Sequence, residues 1–183
     1  MVPGTWLAHT VRMGSYQSPL AAIVKGAIAG AAGTWAMGEA MSRAPQLLER
    51  AGYRLPDAPP GPTAPDSPTE EVAERLAEGL AQDEIDEGTK ATAGQVIHWS
   101  YGAAWGAAYG VLQATLKLPT LFGGALFGAG VGYFGERVMP ALRLQNPPER
   151  NPRAVNVFHM GGHVLYGIAV ALTWRVLNLG RRG

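Results

Sequence analysis

Residues 91–116, ATAGQVIHWSYGAAWGAAYGVLQATL, contain no Asp, Glu, Lys or Arg. A soluble amphipathic helix of that length would place charges on its outer face every three or four residues. Here there are none to place. Working outward, residues 118–135 and 154–174 are equally free of those four types, and residues 18–38 contain only Lys25. The hydrocarbon core of a bilayer is ~30 Å thick and takes ~20 helical residues to cross. The pattern therefore predicts an all-α fold, a four-helix transmembrane bundle. Its spans fall near Pro19–Met41, Ala91–Leu116, Leu121–Met139 and Ala154–Leu177.

Averages conceal this. Hydrophobic residues make up 47% of the 183 residues, and the mean hydropathy is near zero, because the charges are gathered into the connections. A net charge of +1 argues against nucleic-acid binding. The lack of Cys excludes disulfides, thiolate zinc sites and a Cys nucleophile. No nucleophile elbow or phosphate loop is present, so no enzyme is expected. The opening MVPGTWLAHTVRMGSYQ lacks the basic start, apolar run and small-residue exit of a cleaved signal. The first span is expected to act as an uncleaved insertion signal, with residues 1–183 forming one membrane domain.

Residues 42–90 form the long connection. From Pro45 to Pro68 it holds seven prolines and reads as an extended linker. Ser67-Pro68-Thr69-Glu70 then combines a capping Ser, a Pro at the first helical position and a Glu at the third. An acidic amphipathic helix follows, with Val72, Leu76 and Leu80 on one face, suited to packing on the membrane domain or to docking a partner. Four spans put both termini and the 117–120 turn on one side, and the long connection and the Arg-bearing 140–153 loop on the other. Lys25 lies ~9 Å inside its span by helical rise and can snorkel to the near interface. The loop side carries more Arg and Lys, though over longer segments, so the orientation leans towards loops in the cytoplasm.

Small residues recur at steps of four. Span one has Gly26, Gly30, Thr34 and Gly38. Span two has Gly94, Gly102, Gly106 and Gly110, with His98 in the gap. Span three has Gly124, Gly128 and Gly132. Span four has Gly167 and Ala171, preceded by Gly161 and Gly162. Helices in lipid associate through close packing rather than a hydrophobic force, and such rows let backbones approach. They are expected to face other helices.

Ionisable residues inside spans are costly and usually face the protein interior. Besides Lys25 there are Glu39, His98, Glu136, His159 and His163. Counted from the loop-side end of each span, all five fall roughly 6 to 14 Å deep. His159 and His163 share a face at i and i+4. With His98 and a carboxylate from Glu39 or Glu136 they form a candidate site for a transition metal such as zinc or non-haem iron. A His98–His163 pair is also a candidate for axial haem ligation. Hydrogen bonds to carbonyls or to Tyr101, Tyr133 and Tyr166, and a Glu39–Arg43 pair at i+4, are the structural alternative. The Glu-x-x-His pair of di-iron bundles is missing.

GAIAGAAGTWAMGEA in span one, IHWSYGAAWGAAYGVL in span two and HMGGHVLYGIAVAL in span four resemble the YagU-like family of bacterial inner-membrane proteins. The resemblance covers most of the chain except the linker. It implies a multi-pass protein of the bacterial inner (cytoplasmic) membrane and supplies no catalytic residues. The leading expectation is a structural or accessory protein meeting a membrane partner or a second copy of itself. A metal- or haem-binding protein and a small proton-coupled transporter are the alternatives.

Overall fold

The computed structural model describes residues 18–64, 66–81 and 85–179. The reading of residues 1–17 lies outside them. The described residues form five α-helices and no strand: α1 (Pro19–Arg50), α2 (Pro68–Ala81), α3 (Glu87–Leu116), α4 (Thr120–Ala141) and α5 (Arg153–Leu177). A short 3-10 turn, Pro148–Arg150, interrupts the loop before α5. Two of the helices, α1 and α5, are long and apolar enough to cross a membrane by length and composition. α3 carries Gln95, His98 and Gln113, and α4 carries Glu136 and Arg137, which lower their average hydropathy.

Each helix begins where its local chemistry dictates. Ser18 accepts from the Ala21 N–H at 3.2 Å and Pro19 fills the first position of α1. In α2, Ser67 Oγ accepts from the Glu70 N–H at 3.3 Å, and Glu70 Oε2 accepts from the Ser67 N–H at 2.7 Å. That is the reciprocal box expected of Ser-Pro-Thr-Glu. The Ser67 hydrogen bonds hold the Glu70 carboxyl below its ordinary pKa. Asp86 caps α3 through the Gly88 and Thr89 N–H groups, so the helix starts a turn earlier than the charge-free stretch suggests.

The start of the linker is not extended. α1 continues through Pro45 to Arg50, because one internal proline forfeits a single N–H and Gln46, Leu47, Leu48 and Glu49 are helix-compatible. It ends in a Schellman turn. Gly52 takes φ +83°, its N–H donating to Glu49 O and that of Tyr53 to Leu48 O.

Helices pack in the order α3–α1–α5–α4. The glycine rows explain the first and last contacts. A Cβ at Gly106 would strike the Gly30 backbone and the Gly26 carbonyl, and one at Gly110 the Ala22 carbonyl. A Cβ at Gly124 would lie 2.7 Å from the Gly167 carbonyl, and one at Gly128 would strike that of His163. Thr34 sits against Gly102, and the His163 ring against Gly132. Gly38 and Gly161 are corrections to the row reading: each faces open space, because a row outruns the crossing it serves. Gly94 packs on Glu70 of α2 rather than on another long helix. Gly33, off the four-step row, packs on Tyr166 and Val170 of α5.

Lys25 finds its partners within the fold. Its ammonium donates to the Leu177 carbonyl at 2.7 Å and to Asn178 Oδ1 at 2.9 Å. It thereby caps the C-terminus of α5, where a cation suits the helix dipole. Lys25→Met is expected to lower stability by about 1 kcal/mol. Thermal melts of purified protein in one detergent check this.

Candidate functional site

The tight turn at Lys117, with φ +49°, joins α3 to α4. Gln113 braces it, donating to Leu118 O at 2.8 Å and accepting from Leu118 N at 3.1 Å. Beyond the turn, rings hold α3 and α4 apart. Trp105 lies edge-on to Phe134 and Phe127, with centroids 5.3 and 6.3 Å away, and Tyr109 meets Phe127 at 5.0 Å. Between α3 and α4, at the end away from the turn, lies a cavity of about 510 Å³.

Its walls are mostly apolar, with Trp105, Met37, Val131 and Met139 among them. Four of the five residues of the ionisable band line it: His98, Glu136, His159 and His163. Tyr101 and Tyr166 line it too. This size and lining are those of a small-molecule site. Glu39 is not part of the lining; it pairs with Arg43 one helical turn on. Depth along the helix brought the five into one layer, but helix rotation decides which of them face inward. The phase of α1 is set by Gly26 and Gly30 against α3.

Two polar contacts within the lining are already made. His163 Nδ1 lies 3.0 Å from the His159 carbonyl. A carbonyl only accepts, so Nδ1 carries the proton and Nε2 of the neutral ring is left with a lone pair. Tyr166 donates its hydroxyl proton to the Gly102 carbonyl at 2.6 Å.

The outer end is roofed by the linker, the start of α2 and the 142–152 loop. Asn146 donates to the Pro59 and Pro60 carbonyls at 3.1 and 2.9 Å. Arg75 donates to the Leu142 carbonyl at 3.0 Å. The strongest tie is Lys90, only 5% exposed, whose ammonium meets Asp66 at 2.6 Å and Glu74 at 2.7 Å. Those hydrogen bonds, to Asp66 first and then Glu74, hold its pKa well above the ordinary lysine value. In the sequence Lys90 only borders the charge-free stretch 91–116. Its position one turn inside a helix capped by Asp86 was the available signal.

Among the described residues, one group of three ligand atoms lies within 4.8 Å of one another: Asp66, Glu71 and Glu74. The Lys90 ammonium already neutralises two of these carboxylates. No three of Glu39, His98, Glu136, His159 and His163 meet that spacing. The band gathers around a chamber rather than around a point.

No protein-family model matches the chain, and no curated protein and no solved structure matches it.

Proposed function

We propose that the chain is a four-span protein of the bacterial inner membrane, similar to the YagU-like proteins, whose loop-side chamber binds a small molecule. The observation that supports the four spans is inverted packing. The buried positions of α1 are Ala22, Gly26, Ala29, Gly30, Gly33 and Thr34, whereas Leu20, Ile23, Val24, Ile28 and Trp35 are exposed. The same holds in α4, where Gly123, Gly124, Gly128 and Gly132 are buried and Leu121, Phe122 and Leu126 are exposed. In α3, Val96, Trp99, Val111 and Leu116 are exposed while Gly102, Gly106 and Gly110 are buried. Water would penalise such continuous apolar surface; lipid makes it the natural outer face.

Carbonate washing of membranes tests this. The protein is expected to stay in the pellet, and release into the supernatant would contradict the proposal.

A second reading, an accessory subunit, is favoured by α2. Leu76 and Leu80 of its apolar face are exposed, Leu80 at 84%. α2 packs on α3 along the edge beside these leucines, with Ala73 buried. The uncovered leucines suit a membrane partner or a second copy.

A further inference from the structure

The chamber has a chemical bias that narrows its ligand. Among the described residues its lining has no Lys or Arg, and its one formally anionic side chain is Glu136. A phosphate or carboxylate headgroup would find no cationic partner there and would face a like charge. Three of its polar groups are left as acceptors, beside N–H and O–H groups on His98, Tyr101 and His159. The His163 Nε2 is an acceptor, because Nδ1 is committed to the His159 carbonyl. The Tyr166 oxygen has given its proton to the Gly102 carbonyl and can only accept further. Glu136, when ionised, only accepts. These acceptors occur together with the aromatic pair Tyr101 and Trp105, which line the chamber with centroids 6.1 Å apart.

A ligand that answers this lining carries no negative charge, donates hydrogen bonds and presents a flat ring. Phenolic hydroxyls are stronger donors than aliphatic alcohols, and their ring can pack on Trp105 or Tyr101. The chamber lies between helices whose outer faces are apolar, so an alkyl or isoprenoid tail has somewhere to go. We propose that the chamber binds a neutral phenol- or quinol-headed lipid, with the head hydroxyls donating to His163, Tyr166 and Glu136. This rests on the reading of the chamber as a small-molecule site in a membrane-embedded bundle.

Gly135 supplies a clean test. It lines the chamber, and a Cβ there would meet nothing within 4 Å. Gly135→Leu therefore starts a bulky side chain in the open chamber, with its Cβ clear of any neighbouring backbone. The full chain in lipid nanodiscs is titrated with 2-decylhydroquinone, its dimethyl ether and decyltrimethylammonium, with binding read by calorimetry. The hydroquinone is expected to bind saturably, and the ether, which has lost both donors, about tenfold more weakly or worse. Gly135→Leu is expected to abolish binding while its melting temperature stays at the wild-type value. His163→Phe, which removes an acceptor and keeps a ring, is expected to weaken the hydroquinone about tenfold and leave the ether unchanged.

Equal binding of hydroquinone and ether, both lost in Gly135→Leu, would overturn the donor class and leave the chamber standing. Tighter binding of the ammonium compound would overturn it in favour of a cationic ligand. No saturable binding of any probe, or binding that survives Gly135→Leu, would overturn the chamber itself.

Discussion

Gly106→Leu is expected to leave little folded protein. The position has no slack: an added Cβ meets the Cα and N of Gly30 and the carbonyl of Gly26, which are backbone atoms on a neighbouring helix and cannot rotate away. Relief requires moving α1 off α3. But α1 is also packed on α5, with Gly33 against Tyr166 and Val170, so separation at one contact disturbs the other. Overpacking of ordinary cores costs ~1–3 kcal/mol, and a backbone obstruction belongs at or above the top of that range. Gly161→Leu is the control. That glycine is exposed with nothing near its missing side chain, and its substitution is expected to be silent. Size-exclusion profiles and melting curves of the two variants in one detergent separate the outcomes.

Lys90→Met is expected to open the roof of the chamber while leaving the long helices packed. The methionine fits the space but leaves Asp66 and Glu74 without their shared cation, beside Glu71. Lys90 is the buried member, and without it the partly exposed carboxylates are left to repel one another. Asp66 closes the linker and Glu74 lies on α2, so both elements lose their tie to α3. Cleavage of the linker in limited proteolysis is expected to accelerate on the order of tenfold or more. Adding Asp66→Asn and Glu74→Gln to Lys90→Met is expected to restore part of the protection, since the repulsion disappears with the charges. Loss of protection without any such recovery would assign Lys90 a packing role only.

Much of this architecture was legible in the sequence, for reasons that differ by residue. The long helices announced themselves through the missing charges, and the start of α2 through Ser67, Pro68 and Glu70, because those signals are local. That Gly26, Gly30, Gly106 and Gly110 face other helices was readable because close approach has few chemical solutions. What a single helix cannot report is which neighbour a face meets. Gly38 belonged to the same row yet touches nothing, and Gly33 lay off the row yet meets α5. The band at one depth was visible from helical rise, and four of its five members line one chamber. Rotation about the helix axis removed Glu39. The Lys25 cap on α5 and the Lys90 cluster join residues far apart along the chain, and nothing in their local sequence names those partners. Pro45 shows the opposite failure, a strong local signal overridden by the helix around it.

The proposal that α3 and α4 cross the bilayer needs the most direct test, since hydropathy alone singles out α1 and α5. The chain has no Cys, so single cysteines can be introduced at Ser18, Asp57, Pro119 and Glu149 and labelled in sealed vesicles with a membrane-impermeant maleimide. The account predicts that positions 57 and 149 react from one face, and 18 and 119 from the other. Labelling of position 119 from the same face as position 57 would contradict it, because α3 and α4 would then not span the membrane.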